Sequence, residues 1–135
     1  MIVADASVVI DMLLGAGSEA GDDLAKKFSS GEIVCAPHLM DAEVTQVLRR
    51  YVLQGSISWT AAAERVTDLV NLPMRRFPHT ILVGRALELR HHVTVYDGLY
   101  LALAELVDSP LLTGDAALAG VPGCQAVVKV VRTGG

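Results

Sequence analysis

Short aliphatic runs, each too brief for a helix, alternate along this chain with longer stretches whose apolar residues recur at helical spacing. Ile2 to Asp5 is the first run, Ile33 to Ala36 the second, and Leu111 to Thr113 and Ala126 to Val131 close the series. A strand that is apolar on successive residues has both faces buried, the condition of a parallel sheet covered by helices on either side. The intervening segments supply those helices. Ser7 to Leu14 ends at Gly15, and Ser18 caps a polar helix that runs to about Phe28 and stops before Gly31. From Leu39 to Gln54, the residues Met40, Val44, Val47, Leu48 and Tyr51 fall on one stripe, with Gly55 as terminator. Further helices are expected from about Trp59 to Asn71 and Thr80 to Arg90. A last one, Asp97 to Val107, is apolar all round except at Asp97 and Glu105, so it is expected to be buried on most sides. Met74 to Phe77, bracketed by Pro73 and Pro78, is read as an edge strand, because flanking prolines cannot feed a central ladder. The expected fold is α/β, with a short, mostly parallel central sheet flanked by helices.

At 135 residues the chain has the length of one domain, residues 1–135, around one core. Hydrophobic residues make up 52% and charged residues 19%, a balance that excludes a disordered or collagen-like chain. Eleven Lys and Arg against fifteen Asp and Glu leave a net charge of -4, so no molecule-wide positive field draws in nucleic acid or anionic membrane. Any polyanion must be held by local groups. Cys35 and Cys124 stand far apart without a CxxC, which argues against a disulfide framework or a zinc site and for a reducing compartment. No basic segment precedes Asp5, and no uncharged apolar run approaches the ~20 residues of a membrane span, so a cytoplasmic protein without membrane contact is expected. The apolar content exceeds what so small a chain buries, and part of it is expected at a protein interface.

Parallel α/β sheets place their sites at the carboxyl ends of strands. Asp5 closes the first apolar run, Asp115 follows Leu111 to Gly114, Asp97 opens the apolar helix, and Glu43 borders the apolar stripe of its own helix. Asp41, two residues from Glu43, is turned by about 200° to the far side. Singly, Asp97 and Asp115 read as helix N-caps, Asp5 as an acceptor in a turn and Glu43 as a solvated residue. Together, four carboxylates on otherwise apolar elements repel one another and are costly to desolvate unless a cation holds them. All-oxygen ligation without Cys or paired His favours Mg²⁺, with Mn²⁺ as a substitute, over Zn²⁺, and Ser7 and Thr113 offer nearby hydroxyls. Such a site suits phosphodiester hydrolysis by a metal-activated water.

Ile-Val-Ala-Asp5-Ala-Ser7 at the start, Pro37 with Glu43 six residues on, Tyr96-Asp97 opening an apolar helix, and Leu-Leu-Thr113-Gly-Asp115 form an ordered set. In these motifs and in length, the whole chain resembles PIN-domain ribonucleases of the VapC toxin family. The resemblance implies that Asp5, Glu43, Asp97 and Asp115 are the metal-binding and catalytic set, with Ser7 and Thr113 assisting. It implies a Mg²⁺-dependent endoribonuclease, the toxin of a type II toxin-antitoxin module, neutralised by a VapB-type antitoxin and forming a homodimer. The antitoxin helix would lie in an apolar groove framed by the Ser7 to Leu14, Asp22 to Phe28 and Leu39 to Gln54 segments. Many relatives carry a polar residue just after the last acidic position, where this sequence has Ala116 and Ala117, so weaker local polarity is expected around Asp115.

Two other readings compete. An aspartyl-phosphate-forming phosphatase at Asp5 would carry a DxD pattern, and the second position here is Ser7. A non-catalytic oligomeric binding module would use the carboxylates only as caps. Arg50, seven residues after Glu43 on nearly the same helical face, is a candidate, with Arg49, to hold an RNA phosphate. Lys26-Lys27 and Arg75-Arg76 read as solvated faces, as do Asp22 and Asp23. His91 and His92 lie about 100° apart on a helix, and together with His38 and His79 they read as surface or half-buried residues rather than a catalytic pair. Glu105 is about 12 Å along the helix from Asp97 and is expected to make a buried hydrogen bond. Asp11 is expected at the edge of a packed face.

Overall fold

The computed structural model describes residues 1–134. In chain order the elements are β1 (Ile2–Ala4), α1 (Ala6–Leu14), α2 (Glu19–Ser29), β2 (Val34–Pro37), α3 (Leu39–Leu53) and α4 (Trp59–Asn71). There follow β3 (Arg75–Phe77), α5 (Val83–Glu88), α6 (Val95–Leu106), β4 (Leu111–Thr113) and β5 (Val128–Val130), with single 3₁₀ turns at His79–Ile81 and Ala116–Leu118. The five strands form one sheet in the order β3-β2-β1-β4-β5, and every neighbouring pair is parallel. No helix among the described residues is long and apolar enough to cross a membrane.

That order decides where the site lies. From β1 the chain moves outward through β2 to β3, then returns to place β4 on the other side of β1. Two connections leaving in opposite directions open a crevice at the carboxyl ends of β1 and β4. The three inner strands are buried throughout, because helices cover both faces. Arg75–Phe77 and Val128–Val130 are partly exposed at the two edges, where the flanking prolines had placed the former. Helix α6 is buried continuously from Gly98 to Ala104. Its first turn lies so close to α5 that a Cβ at Gly98 would meet Ala86 at 3.1 Å, which leaves glycine as the fitting residue there.

Two expectations need correction. The continuous helix from Thr80 to Arg90 is a 3₁₀ turn followed by the six-residue α5. Leu82, buried in the core at φ -113°, breaks the helical path, while the His79 ring is held by the Leu39 N–H of α3. Helix α6, in turn, begins at Val95 rather than at Asp97: the Thr94 hydroxyl is its cap, accepting the Asp97 N–H at 3.1 Å. Asp97 is therefore a first-turn residue, not the cap.

Candidate active site

Asp5 follows β1 in extended conformation and caps α1. Its Oδ1 accepts the Val8 N–H at 3.3 Å and the Ser7 hydroxyl at 2.5 Å, while the Thr113 hydroxyl at the end of β4 donates to Oδ2. Each hydroxyl oxygen also accepts a backbone N–H from the loop after β4: Gly114 to Ser7 at 3.1 Å and Asp115 to Thr113 at 3.0 Å. A hydroxyl has one proton, and both spend it on Asp5, so the loop that carries Asp115 is tied to the Asp5 carboxylate by two relays. Gly114 keeps this corner tight: a Cβ there would come within 2.4 Å of the Thr133 methyl and 3.2 Å of the Ser7 hydroxyl, so Thr133 would have to move. Asp5 is only 8% exposed. Burial raises its pKa above the ordinary carboxylate range, and its hydrogen bonds pull the other way.

Glu43, half-buried on α3, accepts the hydroxyl of Tyr100 from α6 at 2.6 Å. Burial, opposed by that hydrogen bond and reinforced by the charges of Asp97 and Asp5, holds its pKa up. Asp97 is likewise raised, first by burial and then by the charges of Asp115 and Asp5. Asp115 is exposed and caps the 3₁₀ turn through the Ala117 N–H at 2.9 Å, as one of its simple readings had it. Glu43 thus feels the charges of Asp97 and Asp5, and Asp97 those of Asp115 and Asp5. None of them forms an ion pair with Lys or Arg among the described residues.

An uncompensated all-oxygen cluster is the donor set of a hard divalent cation. Among the described residues no three His, Cys, Asp or Glu side chains stand close enough together to enclose an ion. Asp5 retains lone pairs beyond those its hydroxyl partners use, and its charge reaches Asp97.

The other polar residues sort cleanly. Arg50 lines an open cleft of about 470 Å³ together with Ser7, Glu43, Gln46 and Tyr96. Arg49, one residue earlier, points into a separate cleft of about 480 Å³ with Leu53, Trp59 and Val66. Asp41 lies away from the site, in a two-point ion pair with Arg76, whose guanidinium also donates to the Leu69 and Leu72 carbonyls. Arg76 is therefore structural, not part of a solvated face. Glu105 takes both ends of a bidentate pair with Arg85 and the Gln125 N–H. Asp11 is buried rather than at an edge, and its Oδ2 accepts the Ser18 hydroxyl at 2.6 Å and the Gly134 N–H at 2.7 Å. Tyr100 is the functional partner that the sequence reading missed. It stands three residues after Asp97 on the same helical face, but inside an apolar helix its ring reads as core.

Comparison with known proteins follows the same outline. The family profile described as "PIN domain" matches residues 2–123. Ribonuclease VapC1 of Mycobacterium tuberculosis is 44% identical over 131 residues, covering 96% of this chain and 97% of the relative. PAE2754 from Pyrobaculum aerophilum superposes with a TM-score of 0.69 at 21% identity, over 96% of this chain and 83% of that one. A chain of VapBC2 from Rickettsia felis, bound to a DNA fragment from its promoter, superposes with a TM-score of 0.66 at 11% identity, over 98% of this chain and 100% of the other. At those identities the two superpositions establish the fold alone.

Proposed function

Since this chain belongs to the PIN-domain family, with a ribonuclease named VapC matched along nearly its whole length, we propose that it hydrolyses RNA phosphodiester bonds as the toxin of a type II toxin-antitoxin module. The reading rests above all on one observation: Asp5 is buried at the end of β1, tied by Thr113 to β4, and its charge reaches Glu43 and Asp97, with no Lys or Arg ion pair to any of the three among the described residues. Asp5 and Asp97, with Asp115 at the rim, would hold Mg²⁺ or Mn²⁺. When bound, such an ion lowers the pKa of a water and neutralises charge at phosphorus. Ser7 and Thr113 fix both oxygens of Asp5 and so set its direction. Tyr100 occupies Oε1 of Glu43 and leaves Oε2 to accept a proton from an attacking water, a role helped by the burial that raises the carboxylate's pKa. Arg50 binds a phosphate from the cleft wall. The aspartyl-phosphatase and non-catalytic readings give way to this one, because the relative matched end to end carries a ribonuclease name.

Cleavage-site sequencing of total RNA with wild type and Asp5→Asn, with and without chelator, tests the proposal. Wild type should produce defined ends that chelator and Asp5→Asn both remove; ends that survive both would overturn it. The same family reading supports a homodimer and a VapB-type antitoxin whose helix lies in a groove framed by α1, α2 and α3. The chain should sediment as a dimer at about 10⁻⁵ M, well above the dissociation constants of stable interfaces. A monomer at that concentration removes the homodimer.

A further inference from the structure

We propose that the ring of Tyr96 is a stacking platform for one unpaired base of the RNA, seated beside the acid cluster while Arg50 holds the adjoining phosphate. The inference rests on the ribonuclease reading and adds which form of RNA the cleft accepts. Two tyrosines one turn apart on α6 have opposite fates. Tyr100 is 2% exposed and spends its hydroxyl on Glu43, whereas Tyr96 is 62% exposed and lies in the wall of the cleft with Glu43, Gln46 and Arg50. An exposed ring, a guanidinium and an amide around one cleft are the groups that bind single-stranded nucleic acid: the ring offers its face to a base, the cation takes the backbone, and the amide reaches a base edge. The chain's net charge of -4 makes such local groups necessary. In a duplex, neighbouring base pairs already cover the base faces, so the platform selects loops and unpaired strands.

The test uses the full-length chain in an Asp5→Asn background, which leaves the probe uncut, in Mg²⁺ buffer. The probes are a short fluorescein-labelled oligoadenylate and a labelled RNA duplex, read by fluorescence anisotropy across a salt series. Tyr96→Ala should weaken oligoadenylate binding about tenfold and leave duplex binding unchanged, while Tyr96→Phe, which keeps the ring, should bind like the parent. Arg50→Ala should weaken both probes and reduce the salt slope by about one. The platform is overturned if Tyr96→Ala binds oligoadenylate like the parent, or if Tyr96→Phe loses as much as Tyr96→Ala. It is also overturned if Tyr96→Ala binds RNA normally but loses self-association or an antitoxin, which would place the ring in a protein interface. Wild type, with Asp5 intact, is run on total RNA in parallel. Cleavage there preserves the nuclease reading whatever Tyr96 does, and its absence overturns both.

Discussion

Asp97 holds its proton more tightly in the folded chain than in the unfolded one, because burial and the charges of Asp115 and Asp5 all disfavour its ionised form; Asp5 and Glu43 share that direction. The folded state then binds more protons than the unfolded state at pH values just above the ordinary carboxylate range, so stability falls as pH rises through that window. In chelator, the metal-free protein should therefore gain stability on acidification from neutrality. Asp97→Asn should melt higher than wild type at neutral pH, with a flatter pH dependence, and should not cut RNA. Equal slopes for the two proteins would show that the acids do not couple. The hydroxyls act oppositely. Thr113→Val removes a donor from Asp5 and an acceptor from the Asp115 N–H at a fully buried position, and should cost about 2 kcal/mol in urea unfolding along with most of the cleavage. Thr113→Ser should restore both. The acids could be read from sequence because each ends or opens an apolar element. Tyr100 could not be read the same way: an aromatic inside an apolar helix looks like core until the chain folds and shows its hydroxyl on Glu43.

Helix α3 carries Glu43 and Arg50, yet it starts without a cap of its own, since His38 offers its side chain to no backbone N–H. The Leu39 N–H instead donates to Nε2 of His79, 40 residues away, at 2.7 Å. His79→Ala should cost about 1 kcal/mol, the usual value of a lost helix cap, in chemical denaturation. Because the cap steadies the first turn ahead of Glu43, cleavage should fall along with stability. A stable, fully active His79→Ala would show that water serves the Leu39 N–H equally well. The same contact explains why α5 was misread. Thr80 to Arg90 has helical spacing, but the path turns at the buried Leu82, and the His79 ring at its start is engaged by a residue no local pattern connects to it. The strands and longer helices, whose signals are local, followed the sequence to within a residue or two.

For the whole molecule, an uncompensated acidic crevice means that a bound cation and the fold support each other. Mg²⁺ at 100 times its dissociation constant should stabilise the chain by about 2.7 kcal/mol. The gain should be absent from Asp97→Asn and should shrink in acid as the carboxylates take up protons, both read from melting temperatures. A wild type indifferent to Mg²⁺ and Mn²⁺ would remove the metal site. The sheet order adds a consequence for how such a molecule is made. The hydroxyl of Thr113 that fixes Asp5 is translated 108 residues after it. Over that interval the nascent polypeptide carries Asp5 and then Glu43 with no β4 to complete the crevice and no loop to bring Asp115 to it. A chain that cuts RNA thus stays inert beside the ribosome and message producing it until translation has passed the last of its acids.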